Sequence, residues 1–305
     1  MKKGVVIIPC WRRPEFLGAC LHYIRQADGW DDYAYLFAVD NHRATTARFD
    51  PQVLKVIERF PGEKVLKIRN PHDFHGNSYN VLEAYREAME MDIPGLIFLI
   101  ETDIFIGKDF FTFHEAAHEI DSDTFYVSAC RNQNNKQAGS LPADPEAVYY
   151  WNRYQSLGNS FKPITLATYV LQHCTPEYYG NMHPYCKRHF PLSEFGRSLP
   201  PWWEQDGLIN RIMEKDNLQG LFPFAPRAYH AGYEGYNRKG ESLPTGMALE
   251  DKISEILSMT EDEMNRRAMN PQFKDITKCN LEGYEAKNLK VLSNAELHRT
   301  ASLRD

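Results

Sequence analysis

The sequence predicts an α/β fold with a mostly parallel sheet and helices on its faces. Short apolar runs recur at Val5–Ile8, Tyr35–Val39 and Leu96–Ile100, as strands buried on both faces require. Stretches with apolar residues at spacings of three and four lie between these runs. The runs end in polar or charged groups, at Pro9–Arg13, Asp40-Asn41 and Glu101-Thr102-Asp103. The carboxyl ends of parallel strands are where α/β sheets take their ligands.

The elements follow in order. Val5–Ile8 reads as a strand closed by Pro9, and Pro14-Glu15 as the first turn of a helix whose inner stripe is Leu17, Cys20, Leu21 and Ile24. A second strand spans Tyr35–Val39. Asp50-Pro51 has the form of an N-cap followed by proline at the first helical position, and Val53, Leu54 and Ile57 form the next stripe. Lys64–Ile68 is a third short strand. Asn77–Met91 carries the stripe Val81, Ala84, Tyr85, Ala88 and Met89, and Pro94-Gly95 stops it before the strand Leu96–Ile100.

The second half is less regular. Residues 131–165 are rich in Asn, Gln, Pro and Gly and read as a long loop, and Thr165–Leu171 reads as a strand. Trp202–Lys215 opens a helix with Leu208, Ile209, Ile212 and Met213 on its inner face. After Gly240 the chain is polar. Asp251–Met259 reads as helical, Thr260 and Glu263 have capping-box spacing, and the end of the chain reads as a helical or extended tail.

Composition bounds the function. The chain has 305 residues, 43% hydrophobic and 25% charged, the profile of an ordinary globular protein. A net charge of -6 argues against nonspecific attraction to nucleic acid or anionic membrane. The apolar start Val5–Ile8 is too short for a signal peptide, and no run approaches a membrane span. The six cysteines form no CxxC pair. Reduced thiols and a cytoplasmic location are the expectation.

The Glu101-Thr102-Asp103 triplet carries the chemistry. Strand alternation would place Glu101 and Asp103 on one side of an extended chain. A solvated strand end or a turn-forming Asp would also explain such a triplet. Here, though, it follows a five-residue apolar run and the apolar sequence resumes at once with Ile104, Phe105 and Ile106. Carboxylates in that setting repel one another and lose hydration unless something positive joins them. A hard divalent cation would do so, leaving positions for phosphate oxygens.

Glu101-Thr102-Asp103-Ile104, with Asp109-Phe110-Phe111 after it, resembles the metal-binding segment of GT-A fold glycosyltransferases. It is most similar to the N-acetylglucosaminyltransferase I group and the wider family 2. The resemblance implies a Rossmann-like GT-A domain and a DXD-type site for Mn²⁺ or Mg²⁺ and the donor diphosphate, with Asp103 as metal ligand. Thr102 stands where that group has a central acid. "VVIIPCWRRPEFL" is similar to the family's first strand and turn, so Pro9 would line the nucleotide and Arg12 contact it. "LFAVDN" resembles the second strand, and Asp40, with Asn41, would bind the base, uracil in most relatives. "HGNSYNVLEAYREA" resembles the stretch below the donor, near Gly76, Asn77 and Asn80. Taken alone, Asp40 also suits a turn and Arg12 a surface.

In the second half, "PWWEQDGLINRIMEK" resembles the acceptor-side segment, which implies Asp206 as catalytic base and Glu204 as second candidate. From local sequence alone, these acids equally complement a helix dipole. Trp202 and Trp203 suit a sugar face or a core. "FPFAPRAYHAGYEGYN" resembles a Pro-x-x-Ser-Arg region, and His230, followed by Gly232 and Gly235, would ligate the metal or bind the diphosphate. The implied transferase unit is 1–240, with a nucleotide-binding half 1–112 and an acceptor-side half 113–240; 241–305 would be an appended tail. Cys174, His183, Cys186 and His189 are legal zinc ligands, but Cys-x₈-His-x₂-Cys-x₂-His matches no common zinc spacing, so packing or acceptor-loop roles are favoured.

The implied activity is an inverting, metal-dependent transfer of a sugar from a nucleotide sugar, with UDP as the expected nucleotide, to an acceptor hydroxyl. The acceptor would be a glycan, a small molecule, a protein or a hydroxymethylated DNA base. Competing classes are a nucleotidyltransferase, disfavoured by the lack of a glycine cluster after the first strand, and a nucleotide-sugar-binding protein without catalysis. Dehydrogenase and P-loop readings fail for want of their glycine motifs.

Overall fold

The computed structural model describes residues 1–41, 50–70, 74, 76–130, 146–190, 204–230 and 289–292. The sheet begins with β1 (Gly4–Cys10), β2 (Ala34–Val39), β3 (Lys64–Ile68) and β4 (Leu96–Leu99), all parallel, with β1 between β2 and β4. The helices α1 (Pro14–Ile24), α2 (Pro51–Arg59) and α3 (Asn77–Glu90) fall between these strands. Val5, Val6, Ile7 and Ile8 are all buried, as a strand covered on both faces demands.

The remaining strands are β5 (Ile104–Ile106), β6 (Tyr126–Ser128), β7 (Ala147–Trp151), β8 (Asn159–Phe161), β9 (Gly220–Pro223), β10 (Ala228–His230) and β11 (Lys290–Val291). Among the described residues they complete a nine-stranded sheet, β11-β7-β9-β6-β8-β4-β1-β2-β3, and a separate antiparallel pair, β10-β5. The mostly parallel α/β architecture is therefore the one the sequence predicts, with antiparallel joints at β4-β8, β8-β6 and β9-β7.

Most local expectations for the first half hold. Asp50 caps α2, its carboxylate accepting from the Gln52 N–H at 2.9 Å, with Pro51 behind it. Leu17, Cys20, Leu21 and Ile24 bury on α1, and Val81, Ala84, Tyr85 and Ala88 on α3. Gly95 is needed at φ 98°, where an added Cβ would fall 1.8 Å from the Lys3 carbonyl oxygen.

Two expectations for the second half need correction. The long loop at 131–165 contains β7 and β8; residues 131–145 lie outside the described ones. Thr165–Leu171 is helical rather than extended, in consecutive turns over Pro163–Thr165, Leu166–Val170 and Leu171–His173. Pro163 at the first helical position starts it, and Leu166 and Val170, four apart, bury together. The helices α5 (Pro176–Gly180) and α6 (Met182–His189) follow. The segment Asp251–Met259 and the Thr260/Glu263 spacing lie outside the described residues.

Helix α4 (Phe110–Ile120) starts at Asp109 and seats on the sheet through two histidines. His114 Nδ1 and His118 Nε2 lie 2.7 and 3.0 Å from the one Ser160 hydroxyl of β8. Burial holds both rings neutral, His114 well below the usual histidine range and His118 down to about 3. Unfolding frees them to bind protons near pH 6.5, so their contribution is present above that value and lost as pH falls through it. Urea unfolding should show stability dropping on the acid side of pH 6.5, by up to ~2.7 kcal/mol per pH unit for two protons. His118→Asn should remove about half of that slope; an unchanged slope would show that the pair does not titrate on unfolding.

Candidate functional site

The triplet forms a turn. β4 ends at Leu99, and the Glu101 carbonyl accepts from the Ile104 N–H at 2.9 Å, so Thr102 and Asp103 are the central residues of a β-turn into β5. The extended alternation expected for Glu101 and Asp103 does not apply here. Thr102 and Asp103 are buried and Glu101 is half-buried. Burial, then the charges of Asp103 and Asp206, push the Glu101 carboxyl upward, against Arg13 and a hydrogen bond from Asn77. Burial works against the charge of Asp103 as well, but Arg13 and His230 outweigh it and hold that carboxyl below its ordinary value. The turn therefore favours one proton on Glu101 and an ionised Asp103.

The cation that joins the turn is Arg13, which sequence reasoning passed over in favour of Arg12. Arg13 Nη1 donates to Asp103 Oδ2 and Nη2 to Thr102 Oγ1, each at 3.2 Å. Arg12 instead lies over the Trp11 ring, 4.7 Å from its centroid. Arg13 precedes Pro14 at the start of α1, with φ 67° and ψ 58°, a left-handed backbone uncommon for arginine.

His230 reaches the site through β10, which pairs antiparallel with β5 and sets His230 opposite Ile104. Its Nε2 is 3.8 Å from Asp103 Oδ2. Behind it, Arg227 is fully buried, pairs with Asp109 Oδ2 at 3.1 Å and packs 4.5 Å from the Phe113 ring centroid. That pair ties β10 to the start of α4. Carboxylate oxygen and imidazole nitrogen suit Mn²⁺ or Mg²⁺ in kind, and Asp103 and His230 converge. Among the described residues no group of three or more His, Cys, Asp or Glu is placed to hold a metal ion. An ion bound here would have Asp103 and His230 as its two protein ligands, as suits ions that take much of their coordination from phosphate and water.

Helix α7 (Gln205–Lys215) brings Asp206 to the same region. Leu208, Ile209, Ile212 and Met213 are buried along its inner face, as predicted. The helix start is fixed to α3, the Ser78 hydroxyl accepting from the Gln205 N–H at 2.9 Å. Asn210 secures the other flank, donating to the carbonyls of Asp206 at 2.8 Å and Tyr154 at 3.3 Å. Burial, then Glu204, push Asp206 up to about 6, opposed by Ser156 and Gln205, which donate to its oxygens at 3.4 and 3.0 Å.

Other predicted residues divide. Pro9 lies in β1 beyond Ile7, where pairing with β4 ends, so its missing N–H falls on a strand with one neighbour fewer. Asp40 is buried directly after β2, its N–H donating to the Cys10 carbonyl at 2.7 Å, and Asn41 follows it. Gly76 has φ 92° with open space where a side chain would stand, and Asn77 is exposed beside Glu101. Asn80 points elsewhere: it donates to the Ala38 carbonyl at 2.8 Å and accepts from Arg69 Nε at 2.8 Å, clamping α3 to the sheet. Trp202 and Trp203 lie outside the described residues. Cys174 and Cys186 are buried while His183 and His189 are exposed, and His189 stacks on Tyr185 at 4.2 Å. That arrangement fits packing and not a zinc site.

No protein-family profile and no curated protein matches the chain. Among solved structures it is similar to a mannosyltransferase of Pyrobaculum calidifontis in complex with GDP-Man and Mn²⁺, at 13% identity and a TM-score of 0.39. That overlap covers 54% of this chain and 46% of the mannosyltransferase, so the chain spans about half of that protein's length. It is also similar to apo mouse xyloside xylosyltransferase 1, at 11% identity and a TM-score of 0.38, over 73% of this chain and 84% of that one. At these scores neither likeness bears on function. No helix among the described residues is long and apolar enough to cross a membrane.

Asp206 has a measurable consequence. A carboxyl raised by folding loses stability for the protein as pH climbs from its unfolded value near 4 through its folded one. Asp206→Asn should therefore unfold at higher temperature than wild type at pH 8, by the equivalent of up to about 3 kcal/mol, and should match it near pH 3.5. A lower midpoint at pH 8 would show that the carboxylate is not destabilised by its surroundings.

Proposed function

We propose that the protein transfers a sugar from a nucleotide sugar to an acceptor hydroxyl with inversion, on a GT-A type domain spanning 1–240. One observation carries this reading. A buried turn at the carboxyl edge of the parallel sheet presents an ionised Asp103 with Arg13 and His230, and an acid with raised affinity for protons, Asp206, interacts with the same turn. Diphosphate binding needs the first grouping and deprotonation of an alcohol needs the second.

Asp103 and His230 would hold the divalent cation, Mn²⁺ or Mg²⁺, which when bound neutralises charge on the leaving diphosphate. Asp40 and Asn41 would take the base, with Arg12, Pro9, Gly76 and Asn77 along the donor. Asp206 would accept the acceptor's hydroxyl proton as that oxygen bonds to the anomeric carbon and the bond to the diphosphate breaks. A carboxylate held near pH 6 suits that task, because it is ionised at neutral pH yet more basic than an ordinary aspartate. Glu204, at the start of the same helix, is the second candidate. The half 113–240 would shape the acceptor site, and 241–305 would be an appendage to it.

Calorimetry with UDP, GDP, CDP and ADP, each with and without Mn²⁺, tests the donor site. Manganese-dependent binding of one of them is expected, and Asp103→Asn should abolish it without unfolding the chain. Failure of all four would overturn the reading. Asp206→Asn should keep nucleotide binding and lose transfer by ~10²–10⁴-fold. With wild type, kcat/KM should fall as pH drops below about 6, where Asp206 takes up its proton; a flat profile down to pH 5 would remove it as the base.

A further inference from the structure

We propose that Gln205 is the positioning residue for Asp206: its side-chain amide grips one carboxylate oxygen, Oδ1, and leaves the other, Oδ2, to exchange the Ser156 hydroxyl for the acceptor's hydroxyl and take its proton. This deepens the sugar-transfer reading and rests on it.

The two oxygens are held unequally. Gln205 Nε2 donates to Asp206 Oδ1 at 3.0 Å, a usual length for an N–H···O bond. The Ser156 hydroxyl donates to Oδ2 at 3.4 Å, beyond the usual range for O–H···O. A hydroxyl proton turns about its C–O bond to suit its neighbours, whereas the N–H directions of an amide are fixed by a planar group. An incoming alcohol can therefore replace Ser156 on Oδ2 while Oδ1 stays engaged. In the transfer, the alcohol O–H bond breaks and its proton passes to Oδ2. The alcohol oxygen's electron pair forms the bond to the anomeric carbon, and the bond to the diphosphate breaks with its pair on the leaving group.

Gln205 is itself anchored, in a way that packing alone does not explain. The residue is 2% exposed, and its backbone N–H donates to the Ser78 hydroxyl at 2.9 Å. Its Oε1 is buried and has no hydrogen-bond partner among the described residues. Such an orphan is unfavourable, and a methionine would fill the space without one. An amide has an N–H end and an oxygen end, and only the first can face an ionised carboxylate. The orphaned oxygen is the consequence of turning the other end to Asp206.

The surroundings leave this task to neutral donors. Close enough to Asp206 to feel its charge are Glu204 on its own helix, Glu101 of the turn, and the phenols of Tyr85 on α3, Tyr126 on β6, Tyr154 ahead of β8 and Tyr178 on α5. None of these six carries a positive charge. Burial and Glu204 favour the protonated acid, and the hydrogen bonds from Ser156 and Gln205 oppose them. Once the acceptor has replaced Ser156, Gln205 is the donor of that pair that remains.

The first test needs no substrate. The Asp206 side-chain carboxyl is titrated by carbon-detected NMR, its signal identified by its loss in Asp206→Asn. From a midpoint of about 6 in wild type, Gln205→Met should raise it by about one pH unit, a tenfold tighter hold on the proton. Gln205→Glu, an isostere that sets acid against acid, should raise it further, and it carries the same reading should the Met variant fold poorly. An unmoved midpoint in both would overturn the grip. The second test follows nucleoside diphosphate release at varied pH, with glycerol as probe acceptor and the glucose ester of whichever nucleotide wild type binds as donor. The acid limb of kcat/KM reports the free enzyme and that of kcat the complex. Gln205→Met should move both limbs to higher pH, and Ser156→Ala only the limb of kcat/KM. A kcat limb that moves in Ser156→Ala would overturn the exchange at Oδ2. Wild type that binds none of UDP, GDP, CDP and ADP would sink the sugar-transfer reading and the role of the base with it. The carboxyl midpoints are read without nucleotide, so that failure is distinct from a failure of the grip.

Discussion

Carboxylates that cannot reach bulk water impose the constraint around which the rest of this molecule is arranged. The Glu101–Ile104 turn leaves one buried strand and enters another, so its acids have nowhere to hydrate fully. The fold meets the constraint unequally. Asp103 keeps its charge because Arg13 and His230 stand against it, whereas Glu101, facing the charges of Asp103 and Asp206, favours its proton. The pieces that supply those positive groups come from both halves of the chain. β1 and α1 deliver Arg13; the β5-β10 pair, anchored by Arg227 and Asp109, delivers His230.

The same balance explains how Asp206 can sit where it does. Raising an aspartate from its ordinary value to about 6 corresponds to roughly 3 kcal/mol of unfavourable environment. Four buried apolar side chains of α7 each contribute ~1.5–3 kcal/mol, which outweighs it. The Ser78 and Asn210 hydrogen bonds then fix which way the helix start faces. Packing energy on one face of the helix thus holds an acid with a raised proton affinity in its first turn.

Legibility in the sequence follows the range of the interactions. Strands β1 to β4 and helices α1 to α3 were readable because apolar spacing, proline and N-cap chemistry act within a few residues. The Glu101–Asp103 triplet and Asp206 stood out because acids interrupt apolar runs there. Arg13 did not, since what distinguishes it from Arg12 is a backbone angle and a partner 90 residues away. The partners of Asn80 were hidden for the same reason: its amide engages Ala38 and Arg69, 42 and 11 residues away. β7 and β8 were hidden because their flanks are rich in turn-forming residues, and the Thr165–Leu171 turns because threonine, tyrosine and valine favour strands until Pro163 and core packing decide otherwise.

The reach of these contacts also bears on the order of folding. Arg13 meets Asp103 across 90 residues, Arg227 meets Asp109 across 118, and Gln205 meets Ser78 across 127. Contacts that close loops of this size form after local helices and adjacent strand pairs, because chain entropy must be overcome first. Strands β1 to β4 and their helices can therefore assemble while the chain is still being made, whereas the charged turn gains its full set of partners only after residues 204–230 have emerged. Until then its acids are accompanied by Arg13 and Asn77 but not by His230, which a chain truncated before β10 would lack.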